Sequence, residues 1–317
     1  MNPNNIAYKN QIKKLGAVLL IMLGAITAAS LVFVVFELVG EAIGPSVAFD
    51  VIYSLSYSIL YFLMFFIPLL FYKKFDKEYR FSSMPCKFKF SRYFPLLLLA
   101  GLAINYVAAY MNSMAVSLIG FDISSLGTDS YPNGYHGYHF VLETIQLAIV
   151  PAFCEELLFR GLICDRLSRF GREKAIFISA LTFALMHQNP AQIFYTFILG
   201  LFLGFVFFET GSIWGGIILH FVNNFTQVII SALLYTQHEQ RATFIISIIE
   251  LCVVVAGTAA AIYYMCRHSK KTLGDPDWLF YADNELSARY SVKGFFTPTM
   301  IIYCVIAIAS AFGLMFI

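Results

Sequence analysis

Two adjacent glutamates and two histidines stand within long apolar segments of this chain of 317 residues. Glu155 and Glu156 precede Arg160, while His187 and His220 lie in two later apolar segments. Carboxylates and imidazoles are side chains that move protons or bind metal ions. An ionisable side chain at the centre of a membrane span costs about 2.5–3.5 kcal/mol on insertion scales, so this cluster needs a specific explanation.

Helical spacing gives these residues different expected roles. Glu156 and Arg160 are four residues apart, in the order that favours an ion pair on one helix face. An ion pair that only joins helices explains them as well as a catalytic role does. Glu155 points about 100° away around the helix, so it suits a general base that takes a proton from water. His220 and Asn224 are also four residues apart and therefore face the same direction.

Depth gives an independent test of whether these side chains can meet. At about 1.5 Å per residue, Glu155 and His220 lie about 12 Å and about 11 Å from the ends of their spans that we assign to the cytoplasm. His187 lies about 20 Å from the corresponding end of its span, a depth that helix tilt would reduce. We therefore expect the three side chains to converge in the cytoplasmic half of the bilayer.

The composition of the chain requires a lipid environment. Apolar residues make up 59% of the sequence and charged residues only 13%, whereas a soluble domain carries about 25% charged residues. The formal net charge of +2 gives no electrostatic reason to expect nucleic acid as a partner. The six cysteines form no CxxC pair, so neither a disulfide framework nor a zinc ribbon is indicated. We predict a multi-pass protein of the cell membrane, surrounded by membrane lipid.

The predicted fold class is all-α, a polytopic transmembrane helix bundle with about nine spans and a cytoplasmic N-terminus. All Lys and Arg residues except Arg160 and Arg241 then lie in cytoplasmic segments, as the positive-inside rule requires. Asn189-Pro190 separates two short spans by a tight outer turn. The predicted spans are 15–40, 47–72, 94–119, 140–163, 174–188, 192–208, 213–235, 242–266 and 297–316.

The nine spans fall into three predicted regions. Residues 1–139 form an N-terminal three-span region with an outer loop. Residues 140–236 form a four-span core, which holds both glutamates and both buried histidines and which we expect to be catalytic. Residues 237–317 form a C-terminal two-span region with a cytoplasmic loop. The expected chemistry is therefore confined to the central third of the chain.

The polar cluster resembles the motifs of the CPBP family of intramembrane proteases. This family includes the type II CAAX prenyl endopeptidases and the bacterial Abi proteins of bacteriocin processing and immunity. Its three motifs are EExxxR at Glu155–Arg160, FxxxH at Phe183–His187 and HxxxN at His220–Asn224. Each motif is a weak signal alone, but all three in this order on separate spans are specific. The resemblance covers roughly residues 140–235.

The resemblance implies that the chain hydrolyses a peptide bond inside the membrane. Glu155 would deprotonate a water molecule that His187 holds in place. His220 and Asn224 would donate hydrogen bonds to the tetrahedral oxyanion. The implied catalytic residues are thus Glu155, His187, His220 and Asn224, and the implied supporting residues are Glu156, Arg160 and Phe183.

A zinc ion is an open alternative at the same position. Two histidines and a glutamate, here His187, His220 and Glu155, form a plausible zinc-binding set with an open fourth position. The HExxH motif is absent, and a metal-free glutamate mechanism needs the same residues. The sequence therefore implies no firm cofactor, and we favour slightly a site without tightly held zinc.

The expected substrate is a membrane-anchored peptide or protein, either a prenylated CAAX protein or a bacteriocin-like peptide, cleaved near the cytoplasmic face. Two other functions compete with this hypothesis. A non-catalytic bacteriocin-immunity or peptide-binding membrane protein would use the same pocket, but binding alone does not require a base such as Glu155. A transporter would need broken helices in two related halves, whereas the polar cluster is confined to spans four to seven.

Overall fold

The protein folds as a bundle of helices. The structure is a computed structural model that describes residues 3–44, 46–118, 134–236, 239–272 and 292–313. Within these ranges the chain forms nine helices and no β-strand, so the all-α prediction is confirmed. Most of the predicted outer loop, and most of the cytoplasmic connection before the last span, lie outside the described residues.

Each predicted span overlaps one helix. Six of the helices are long and apolar enough to cross a membrane on their own, and these are α1, α2, α3, α6, α7 and α8. The helices are α1 (Pro3–Ile43), α2 (Val47–Phe75), α3 (Phe94–Leu118), α4 (137–168), α5 (Arg172–Met186), α6 (Pro190–Thr210), α7 (Ile213–Thr236), α8 (Glu239–Thr272) and α9 (Pro298–Gly313). The shorter α5 and α9 have 15 and 16 residues.

Helix α4 is continuous but contains two stretches of π-helical turns, Thr144–Ile149 and Leu157–Cys164. Between them lies the α-helical segment Val150–Glu156, which carries both glutamates. Pro151 in this segment has no N–H, so the carbonyl of Leu147 lacks its usual donor four residues later. Because π turns are frequent at functional sites, their position on either side of the glutamates favours a functional role for this part of α4.

Local sequence signals set the break between α5 and α6. Gln188 has a φ of +50°, in the left-handed region, so the chain leaves the helical path directly after α5. The side chain of Asn189 accepts a hydrogen bond from the backbone N–H of Ala191 and caps α6, whose first residue is Pro190. The predicted helix break at Asn189-Pro190 is confirmed.

Polar contacts at one end of the bundle join segments that are distant in sequence. The Asp76 carboxylate lies 3.4 Å from Lys14 Nζ in α1 and 3.6 Å from Arg166 Nη2 in α4. Burial alone would raise the pKa of Asp76, but these cations outweigh it and hold the pKa below its usual range. Ser212, between α6 and α7, donates to the carbonyl of Lys87 in the α2–α3 connection. These contacts place the basic segments at one end, as the predicted alternation of spans requires.

Helix α8 packs closely against α3 at Gly257. A Cβ atom added to Gly257 would lie 2.3 Å from the carbonyl oxygen of Leu99 and 2.4 Å from Ala103 Cβ. Small residues allow this kind of close approach between membrane helices, whose association depends on packing because lipid tails are themselves apolar. The contact fixes the position of α3.

We expect Gly257→Ala to lower the thermal stability of the protein in detergent, because the added methyl group forces α3 and α8 apart. Overpacking of this kind costs about 1–3 kcal/mol. The matched control is Gly24→Ala in α1, where an added Cβ would meet no described atom within 4 Å. Thermal unfolding should show a lower midpoint for Gly257→Ala alone. Equal midpoints for the two variants would contradict the close contact between α3 and α8.

Candidate active site

A cavity of about 360 Å³ lies between α2, α3, α4, α5, α6 and α7. The four side chains predicted to be catalytic all line it: Glu155, His187, His220 and Asn224. Hydroxyl and amide groups supply the other polar atoms of its wall, and they belong to Tyr57, Tyr61, Asn105, Gln192, Tyr195, Thr196, Asn223 and Gln227. The helices therefore bring residues of all three sequence motifs to one cavity.

The two carboxylate oxygens of Glu155 have different surroundings. Oε1 accepts a hydrogen bond from the hydroxyl of Tyr61 on α2. Oε2 is buried, accepts no hydrogen bond from any described residue, and lies 3.9 Å from Nε2 of His220. A buried polar atom without a hydrogen bond costs about 1–3 kcal/mol, more if it is charged, so native proteins keep few of them. Oε2 is thus the atom of this carboxylate that is free to accept a proton.

Glu156 points into the protein and is held by two partners. Its Oε1 accepts a hydrogen bond of 2.7 Å from Arg160 Nη1 and lies 3.1 Å from Nδ1 of His220. Because the carboxylate oxygen is the acceptor in this hydrogen bond, we assign a proton to Nδ1 of His220. The predicted ion pair between Glu156 and Arg160 is present, with both side chains fully buried. It orients the imidazole of His220 so that Nε2 faces Glu155.

Arg160 joins α4 to the two helices that follow it. Its Nη2 donates a hydrogen bond of 3.0 Å to the carbonyl of Gly200 in α6, and its guanidinium lies 4.6 Å from the ring centroid of Phe183 in α5. The lack of a side chain at Gly216 in α7 leaves room for the neighbouring Glu156, since a Cβ there would lie 2.6 Å from Oε2 of that carboxylate. The four core helices therefore meet around one buried charge pair.

His187 follows the last residue of α5, where the helix stops. Its Nδ1 lies 2.9 Å from the carbonyl oxygen of Phe183, one helical turn earlier. Since a carbonyl only accepts, Nδ1 is the donor, and the neutral ring keeps Nε2 as a hydrogen-bond acceptor. The four-residue spacing of the FxxxH motif places the carbonyl of Phe183 one turn before His187. The backbone of Phe183 thereby orients the imidazole of His187.

Asn224 closes a chain of amide hydrogen bonds that crosses three helices. Its Nδ2 donates to the carbonyl of Leu147, whose α-helical donor position four residues later is occupied by Pro151. Its Oδ1 accepts from Asn223 Nδ2, and Asn223 Oδ1 accepts from Asn105 Nδ2 on α3 at 2.6 Å. Because the Leu147 carbonyl can only accept, the direction of the whole chain is fixed, and Asn224 presents N–H groups and not its oxygen.

The cavity lies near the middle of the bundle. Tyr61, Asn105 and Asn224 stand at or next to the midpoints of α2, α3 and α7, and Glu155 is close to the midpoint of α4. Thr196 lies in the first half of α6, which begins away from the basic end of the bundle. The site is thus reached at mid-depth along four helices, and its predicted place in the cytoplasmic half of the bilayer stays a prediction.

Sequence reasoning missed the contributions of α2 and α3 to this site. Tyr61 ends a series of tyrosines at four-residue intervals, Tyr53, Tyr57 and Tyr61, which puts three hydroxyl-bearing rings on one face of an apolar helix. Asn105 is a polar residue in the middle of another apolar span. Both signals are visible in the sequence, although neither identifies the partner residue.

The residues considered for zinc are not grouped as metal ligands in this arrangement. Zinc takes nitrogen and oxygen ligands at about 2.0–2.2 Å, so three side chains must converge on one point. Among the described residues no group of three His, Cys, Asp or Glu side chains is placed to hold a metal ion. Glu155, His187 and His220 line the same cavity, and Nδ1 of each imidazole lies within hydrogen-bond distance of a protein oxygen, which leaves Nε2 of each ring without such a contact. The zinc alternative therefore stays a prediction that metal analysis tests.

We expect Arg160→Met to destabilise the protein strongly, because it leaves the Glu156 carboxylate buried without its cation. Removing one partner of a buried pair costs about 3–5 kcal/mol. The double variant Glu156→Gln/Arg160→Met should recover part of the loss, since no unpaired charge remains. Thermal unfolding in detergent measures both. A double variant that is less stable than Arg160→Met alone would contradict this account of the pair.

Comparisons with known proteins agree with the motif analysis. Residues 137–226 match the family model described as Rce1-like, Type II CAAX prenyl endopeptidase Rce1-like. No curated protein and no solved structure matches the chain. The matched segment includes α4, α5, α6 and α7 as far as residue 226, with His220, Asn223 and Asn224 of the cavity wall. The predicted resemblance is therefore confirmed for this segment, which is similar to the type II CAAX prenyl endopeptidases of the Rce1-like family.

Proposed function

We propose that this protein is an intramembrane endopeptidase that hydrolyses a peptide bond of a membrane-anchored substrate with water activated by Glu155. One observation carries the proposal. Oε2 of Glu155 is buried in a polar wall within an apolar bundle, has no hydrogen-bond donor among the described residues, and faces an imidazole nitrogen. A carboxylate held this way is suited to general base catalysis, which contributes typically about 10²–10⁴-fold in rate.

The reaction needs one proton transfer in each direction. Glu155 Oε2 takes a proton from water while the water oxygen bonds to the carbonyl carbon of the scissile peptide. The resulting tetrahedral intermediate carries its negative charge on the former carbonyl oxygen. When the C–N bond breaks, Glu155 returns the proton to the leaving nitrogen. The products are a carboxylic acid and an amine, which exchange a proton to become a carboxylate and an ammonium group, and Glu155 is again ionised.

His187 is assigned to the attacking water. Its Nδ1 is committed to the backbone of Phe183, which leaves Nε2 as an acceptor on the wall of the cavity. A water molecule that donates one hydrogen to this nitrogen has its other hydrogen available for Glu155. Holding the nucleophile in this way lowers the entropic cost of attack.

His220 and Asn224 are assigned to the oxyanion. His220 donates from Nδ1 to Glu156, and a protonated His220 ring offers a second N–H, at Nε2, to the oxyanion. Asn224 has two N–H groups on Nδ2, of which one serves the carbonyl of Leu147. The other is available to a negatively charged oxygen. Removal of one oxyanion donor typically costs about 10²–10³ in kcat.

The proposed substrate is a peptide or protein already anchored in the membrane, with a prenylated CAAX protein and a bacteriocin-like peptide as the two classes that the motifs imply. Apolar helices surround the cavity, so a substrate held by lipid or by an apolar segment reaches it without leaving the membrane. We place the enzyme in the cell membrane, with the basic end of the bundle at the cytoplasm. No step of this mechanism uses a metal ion.

We expect Glu155→Gln to lower kcat by at least about 100-fold, because an amide cannot accept the proton of the attacking water. The matched control is Glu143→Gln on the same helix. Glu143 is also buried, but it accepts a hydrogen bond from Tyr135 and does not line the cavity. The assay follows cleavage of a farnesylated peptide with a C-terminal CAAX sequence, and in parallel of an unlipidated amphipathic peptide, by protein in liposomes.

Three results would count against this proposal. Equal cleavage by the wild type and Glu155→Gln would remove Glu155 as the base. Binding of either peptide without cleavage would favour the non-catalytic peptide-binding alternative. One zinc ion per chain that is lost together with activity under chelation would replace the metal-free mechanism with a metal-dependent one.

A further inference from the structure

Tyr61 reaches the proposed base from a helix outside the segment that matches the family. The matched segment begins at residue 137, whereas α2 ends at Phe75. The Tyr61 hydroxyl nevertheless donates a hydrogen bond to Oε1 of Glu155 inside the cavity. The contact joins residues 94 positions apart. Among the described side chains, Tyr61 is the one that donates a hydrogen bond to Glu155.

The direction of the Tyr61 ring is fixed by its neighbours. Tyr57 lies one turn before it and Phe65 one turn after it on the same face of α2. Both rings stack on Tyr61, with centroids 5.7 Å and 5.1 Å away. A tyrosine has only two side-chain torsions, and stacking on both sides restricts both of them. The hydroxyl is therefore presented to Glu155 by a rigid support.

This hydrogen bond makes the two carboxylate oxygens unequal. A carboxyl group turns readily about its last torsion, which has a broad energy profile. With Oε1 held by the Tyr61 hydroxyl, Oε2 stays directed at His220 Nε2, 3.9 Å away.

We propose that Tyr61 is a positioning residue for Glu155, which holds Oε1 so that Oε2 takes the proton from water. The inference rests on the proposed function. It adds α2 to the catalytic machinery that the three motifs define. A hydroxyl that only joined α2 to α4 would contribute to stability without selecting between the two oxygens.

The test is Tyr61→Phe, which removes only the hydroxyl and keeps the stacked ring. Its matched control is Tyr53→Phe, two turns earlier on the same face of α2, where the ring packs against Phe33 and Phe36 and does not line the cavity. Cleavage kinetics with the farnesylated CAAX peptide and thermal unfolding are measured for both variants, with Glu155→Gln beside them.

We expect Tyr61→Phe to lower kcat by about 10- to 100-fold, the usual loss for a hydrogen bond to a charged group. KM should change by less than about twofold, because Tyr61 acts on Glu155 and not on the substrate. Tyr53→Phe should keep the kcat of the wild type. A role confined to stability would instead lower the unfolding midpoint and leave kcat unchanged in the folded fraction.

Each other outcome overturns a defined part of the argument. A kcat for Tyr61→Phe equal to that of the wild type removes Tyr61 as a positioning residue, while the loss in Glu155→Gln keeps the endopeptidase. A kcat above the wild type would mean that the hydroxyl covers the base, which also contradicts positioning. If Glu155→Gln retains full activity, the proposed function itself fails.

Discussion

The buried charges of Glu155 and Glu156 are the constraint around which the core of this bundle is arranged. Two adjacent carboxylates in a low-dielectric interior are costly unless each finds partners. Glu156 finds Arg160 and His220, and the three side chains join α4, α5, α6 and α7 into one unit. Each glutamate accepts hydrogen bonds at one oxygen only from the described residues. The two differ in that Glu156 has the cation of Arg160 as its partner, whereas Glu155 has no such cation among these residues and lines the cavity.

The helices outside the matched segment complete this arrangement. Helix α2 supplies the hydroxyl that holds Glu155, and α3 supplies Asn105, which begins the amide chain to Asn224. Helix α8 in turn holds α3 through the close contact at Gly257. The segment 137–226 carries the recognisable motifs, but α2 and α3, which precede it in the chain, also supply residues to the cavity wall. The site is thus a property of at least six helices.

The sequence predicts the fold class and the contacts within a helix well, because both depend on local patterns. Apolar runs of sufficient length predicted all nine helices, and Asn189-Pro190 predicted the break between α5 and α6. The four-residue spacing of Glu156 and Arg160 predicted their ion pair. Each of these signals acts within a few residues of chain, where helix geometry is known in advance.

Contacts between distant helices were not predictable in the same way. Tyr61 and Glu155 are 94 positions apart, and Asn105 and Asn223 are 118 apart, so no spacing rule relates them. The orientation of the imidazoles was equally inaccessible, since it depends on which oxygen each Nδ1 meets. For that reason the sequence left a zinc site open, and the question stays open although no group of three ligands is found among the described residues.

Pro151 has a consequence that extends well beyond its own helix. By removing one N–H from α4, it leaves the Leu147 carbonyl to be satisfied by a side chain from α7. That carbonyl tolerates only a donor, so every amide in the series back to Asn105 must adopt a single orientation. Pro151, which has no backbone N–H, therefore determines which atoms donate and which accept along a cavity wall that three different helices build.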